Sequence, residues 1–88
     1  MNKTRIIVHL NAKEQPYLRG EGVSSLNWEK GVPLKKLTED EWLWETDEAF
    51  QGGSFKILIN DQDAELGENH PLYPGSSMRV NPKFPLDK

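Results

Sequence analysis

The chain has no cysteine. No disulfide can brace it, and no thiolate is on hand as a nucleophile or metal ligand. Long apolar runs are also missing. The opening Met1-Asn2-Lys3-Thr4-Arg5 leads into only a few apolar residues before Asn11, too short a stretch for a secretory core or a membrane span. A cytoplasmic, soluble protein with no membrane partner is therefore expected. There is no excess of positive charge. The net charge is −3, which argues against a nucleic-acid partner. The imbalance is local: residues 1–37 hold seven basic and three acidic groups, whereas residues 38–70 hold one basic and ten acidic. This is read as a solvated acidic surface, with docking of a basic protein as the alternative use. A helical stripe is absent too, and no internal repeat or low-complexity tract occurs.

What the sequence does contain is alternation with a period of two, cut at short intervals by turn residues. Residues 4–10 place Ile6, Val8 and Leu10 on one face. Residues 16–19 form a short strand ending at Gly20-Glu21-Gly22, and residues 23–31 form a loop. Another short strand fits 34–37. In 41–46, Trp42, Trp44 and Thr46 share a face. After the turn Gln51-Gly52-Gly53, residues 54–60 set Phe55, Ile57 and Ile59 against Lys56, Leu58 and Asn60. A polar loop is predicted over 61–76. A last strand starts at Met78–Val80 and is ended by Pro82 and Pro85. The 88 residues make a single domain, 1–88, with one core between two layers. The pattern predicts an all-β sandwich whose inward set is Ile6, Val8, Leu10, Leu18, Leu34, Trp42, Trp44, Phe55, Ile57, Ile59 and Val80.

Chemistry-bearing patterns are sparse. His9 and His70 form no spaced metal motif and no evident triad, and both are read as ordinary strand and loop residues. Asp61, Asp63 and Glu65 alternate like calcium ligands, yet Leu66 stands where an EF-hand loop needs glycine. They are read as a solvated acidic loop, so no metal and no cofactor are expected. Nothing marks a pocket that would hold substrate between a general acid and base, so the chain is not expected to be an enzyme. Trp28 is the informative residue. It lies in a loop between Asn27 and Glu29, and such a tryptophan either folds back onto the core or is exposed for binding.

Four stretches, in this order and spacing, resemble the starch- and glycogen-binding modules, including those appended to glucoamylases and that of the AMP-activated kinase β subunit. Tyr17-Leu18-Arg19-Gly20 resembles the family's strand and turn. Leu26-Asn27-Trp28-Glu29-Lys30, with Val32-Pro33-Leu34, resembles its tryptophan loop, and Trp42 falls at the start of its next core strand. Ser54-Phe55-Lys56-Ile57-Leu58-Ile59-Asn60-Asp61 resembles its lysine strand, and Gly67-Glu68-Asn69 its later turn. The resemblance covers about residues 6–82. It implies an immunoglobulin-like antiparallel β-sandwich of about six to eight short strands. It also implies a non-catalytic carbohydrate-binding module for α-glucan, with Trp28 stacking on sugar and Lys56 and Asn69 bonding hydroxyls. The sequence departs from the family where Asp63-Ala64-Glu65 replaces a second stacking aromatic; Tyr73 is the nearest substitute. The competing reading is a protein-interaction sandwich that has lost glycan binding.

Overall fold

Alternation in the sequence becomes alternation in burial. In the computed structural model, which describes residues 3–11 and 13–84, the strands are β1 (Thr4–His9), β2 (Pro16–Glu21), β3 (Val32–Pro33), β4 (Lys35–Thr38), β5 (Glu41–Thr46), β6 (Gly53–Ile59), β7 (Asp63–Ala64), β8 (His70–Leu72) and β9 (Ser77–Val80). No helix occurs among the described residues, so none is long and apolar enough to cross a membrane. Pro85, expected to help end the last strand, lies outside the described residues.

The strands form two sheets, one ordered β4-β5-β1-β9 and the other β3-β2-β6-β7, with β8 also paired to β6. The chain changes sheet between β3 and β4 at one residue, Leu34, whose side chain is buried and whose N–H donates to the Pro16 carbonyl. The core faces inward from both layers. Ile6 and Val8 of β1 and Trp42 and Trp44 of β5 come from one sheet. Leu18 of β2, Phe55 and Ile57 of β6 and Leu72 of β8 come from the other. Fully burying an aliphatic or aromatic side chain of this size stabilises by about 1.5–3 kcal/mol, so this cluster supplies the main driving force.

The all-β sandwich predicted from the sequence is the observed fold, with four adjustments. Among the described residues the strands number nine rather than six to eight, because the segment predicted as a polar loop over 61–76 contains the short β7 and β8. The pairing is not wholly antiparallel: β1 and β9 run parallel. A parallel pair needs a long connection, and here the other strands of the domain provide it. Third, β2 continues through Gly20 to Glu21 instead of turning there. At Gly20 the β6 backbone comes so close that any Cβ would strike the Ser54 carbonyl. Finally, Leu10, Ile59 and Val80 are only partly buried, while Leu58, assigned to the outer face, is covered. The register sets Tyr17 and Ala64 on either side of Leu58. Val23 and Leu26 join the core from the 22–31 loop, which turns back through a bond from the Leu26 N–H to the Val23 carbonyl.

Candidate functional site

The outward residues of β2 are Tyr17, Arg19 and Glu21, and those of β6 are Ser54, Lys56 and Leu58. Antiparallel register sets them side by side as Tyr17–Leu58, Arg19–Lys56 and Glu21–Ser54. The 22–31 loop returns over this face. Its entry is fixed by the Gly20 N–H bonded to the Asn27 carbonyl. The Asn27 side-chain oxygen then accepts the N–H groups of Glu29 and Lys30, the local turn that asparagine favours.

Trp28 thereby lies on the sheet instead of in the core. It is 36% exposed, and its indole N–H donates to Glu21 Oε1 at 3.0 Å. Its carbonyl accepts from Arg19 Nη1 at 2.9 Å. Arg19 is thus the bridge between the loop that carries Trp28 and the strand position opposite Lys56. The Lys56 ammonium donates to the Gly67 carbonyl, tying down the segment that leads through the exposed Asn69 into β8. Trp28 and Lys56 are therefore attached to one sheet face, and Asn69 is two residues beyond the carbonyl that Lys56 holds.

Tyr73 is placed elsewhere. It is 58% exposed and lines a groove of about 210 Å³ with Phe55, His70 and Met78, at the side of the sandwich where β8 and β9 lie. Neither Trp28 nor Lys56 lines that groove.

The segment read as a solvated acidic loop is solvated at Asp63 but not at Asp61 or Glu65. Asp61 occupies a tight turn after β6, in which Asn60 and Asp61 both have positive φ, 55° and 57°, and the Gln62 N–H donates to the Ile59 carbonyl. Asparagine and aspartate tolerate this left-handed backbone better than most residues. The Asp61 carboxylate receives Arg19 Nε at 2.8 Å and the Gly31 N–H at 3.1 Å. The Arg19 hydrogen bond, with help from Gly31, holds its pKa below the ordinary aspartate value of 3.8. A folded-state pKa below the unfolded one adds stability that is complete above the unfolded value and is lost as pH falls through the folded value. Asp61→Asn is accordingly expected to lower stability most near neutral pH, with the gap to the natural chain closing once pH drops below 3.8. Urea unfolding at a series of pH values tests this; a gap that stays constant down to strong acid would refute it.

Glu65 is buried, its side chain only 2% exposed. β6 is paired by β7 at residues 58–59 and by β8 at residues 53–55, leaving Ile57 between the two partners. Glu65 closes that gap. Its N–H donates to the Ile57 carbonyl, and its carboxylate accepts the Ile57 N–H at 2.8 Å. The other partner is His70 Nε2, at 2.9 and 3.0 Å from the two carboxylate oxygens. The His70 ring also stacks on Phe55 with centroids 5.0 Å apart. The sequence reading of His70 as a plain loop residue does not reach this pair, because Glu65 lies just beyond the two-residue β7, where no alternation shows its facing. His9, on β1, lies between Glu41 and Arg79 on the outer face of the other sheet.

Most of the acidic stretch finds a partner within the domain, some of it cationic and some neutral. Seven of the ten carboxylates in residues 38–70 are engaged. Asp40, Glu41, Glu45, Asp47, Glu48, Asp61 and Glu65 meet Asn11, His9, Lys3 and Arg5, Lys3, Ser24, Arg19 and His70 respectively. The basic β1 lies directly beside the acidic β5, with Arg5 opposite Glu45. Among the described residues, no group of three or more His, Cys, Asp or Glu is arranged to hold a metal ion. The His70 ring hydrogen-bonds only to Glu65 among those residues.

No protein-family model matches the chain, and no curated protein or solved structure matches it either.

Proposed function

We propose that this chain is a non-catalytic glycan-binding module that takes an α-glucan chain across the outer face of β2 and β6. The observation that carries the reading is the placement of Trp28: a half-open indole on a polar sheet face, beside the Arg19–Lys56 row. One face of a glucose ring is lined by C–H groups and sheds water on an aromatic plane. Amine and amide donors at the rim then satisfy hydroxyls and set orientation. Lys56 fits this role, since its ammonium has donors left after the bond to Gly67; Asn69 serves at the edge. The rival reading, a protein-docking domain using an acidic face, draws no comparable support, because most of that acid is already paired within the domain.

With one aromatic and a shallow surface, affinity for a short oligosaccharide should be weak, on the order of 0.1–1 mM. Titration of the natural chain with maltoheptaose or β-cyclodextrin should shift NMR resonances of residues 26–30, Lys56 and 64–69. Trp28→Ala is expected to remove detectable binding with the fold intact, by analogy with stacked bases worth about 1–3 kcal/mol each. Lys56→Ala should weaken binding less, because water can replace part of a donor's role. An unshifted spectrum at millimolar sugar would reject the α-glucan reading, and shifts surviving in Trp28→Ala would move the site elsewhere.

A further inference from the structure

The loop bearing Trp28 is held to the sheet by one compact hydrogen-bonded unit. Arg19 uses all three of its guanidinium nitrogens: Nε on Asp61 Oδ1, Nη2 on the Asp61 carbonyl at 2.9 Å and Nη1 on the Trp28 carbonyl. Asp61 in turn takes the Gly31 N–H with its carboxylate. The loop is thus gripped at Trp28 and again three residues later at Gly31, by a charge pair anchored in two different elements, the middle of β2 and the turn after β6. Charge-assisted, planar bonding of this kind is stronger and more directional than a neutral contact. Gly31 is part of the same device. A Cβ there would lie 2.5 Å from Asp61 Oδ1 and 2.8 Å from the Tyr17 Cβ, so only glycine lets the carboxylate come this close. The side chain of Trp28 is fixed separately, through its indole N–H on Glu21.

From this geometry we infer that Arg19 and Asp61 are positioning residues for the ligand: they hold the main chain that carries Trp28 in place on the sheet before the glycan arrives. The inference rests on the glycan reading above and names how that site is built. A tryptophan on an untethered loop would have to be ordered at the moment of binding, and that ordering opposes affinity. A tryptophan already fixed at its main chain and at its indole N–H avoids most of that opposition. Removing the clamp should therefore weaken binding without removing any group that stacks on the sugar.

The test compares the natural chain with Asp61→Ala, Arg19→Met and Gly31→Ala. The last keeps every charge and breaks the clamp by crowding alone. Two readouts are taken on each: affinity for maltoheptaose by NMR titration, and 15N relaxation of the Trp28 backbone and indole N–H groups, with overall shift dispersion confirming the fold. All three variants are expected to bind about two- to tenfold more weakly, with lower order parameters confined to residues 27–31. Three results overturn the inference. Affinity unchanged in the variants would refute the clamp while leaving the glycan reading standing. Weaker binding with Trp28 as rigid as before would show that Arg19 or Asp61 acts by another route. Absence of binding by the natural chain would remove both the glycan reading and the positioning role.

Discussion

Trp42→Ala is expected to cost about 3–5 kcal/mol of folding stability, the usual range for deleting a large buried aromatic. Trp42 is 6% exposed and sits opposite Val8 in the β1–β5 ladder. Its indole N–H donates to the Leu10 carbonyl at 3.0 Å, and the Lys36 ammonium lies 5.7 Å from its ring centroid. Truncation removes the transfer energy of the ring, opens a cavity in a tightly packed layer and leaves the Leu10 carbonyl without its donor. Domains of this size have roughly 5–15 kcal/mol in total, so the melting temperature should fall by more than about 10 °C. Trp42→Phe keeps most of the ring and should cost less than half as much. Urea and thermal unfolding of both variants check this. An alanine variant that melts like the natural chain would mean that the inward facing of β5 is wrong.

Glu65→Ala is expected to be the second costly change, at about 2–4 kcal/mol. The carboxylate is the hydrogen-bond partner of the Ile57 N–H at a point where β6 lies between β7 and β8 and has no strand on the edge facing them. Without it a buried donor is left unpaired, and the His70 ring loses its hydrogen-bond partner among the described residues. The Glu65→Gln variant retains an acceptor for Ile57 and should recover more than half of the loss. Hydrogen exchange provides the local readout: the Ile57 amide should exchange faster in Glu65→Ala and remain protected in Glu65→Gln. Equal stability and equal Ile57 protection in the alanine variant would show that the carboxylate does not complete the ladder. The two sites share no partner, so their effects should add in the double variant.

Strands with an unbroken alternation were legible without coordinates. β1 and β5 bury one side and leave the other open or half-covered, and β6 keeps that alternation as far as Ile57, so Ile6, Val8, Trp42, Trp44, Phe55 and Ile57 follow as inward residues. The short strands were not legible. β3 and β7 have two residues each, fewer than one full alternation, and exist only because a longer neighbour offers them an edge to pair with. At the candidate site, the outward facing of Lys56 follows from its place between Phe55 and Ile57. Whether Trp28 faced core or solvent was undetermined, since a loop has no period to read.

What the sequence by itself determined is therefore the class of fold and the side of each long strand that meets the core. Side chains on a strand alternate by geometry, so one apolar face requires a second layer to cover it. Only the tertiary structure decided the remainder. It closed the sandwich with the parallel β1–β9 pair, turned Glu65 from a solvated acid into the partner of Ile57 and His70, and laid Trp28 on the sheet under the grip of Arg19 and Asp61. Each of these joins residues far apart in the chain or satisfies a backbone group whose need arises only once other strands have paired. A donor left open by the ends of two neighbouring strands cannot be seen until those ends are in place. The same holds for an arginine that reaches a turn forty-two residues away.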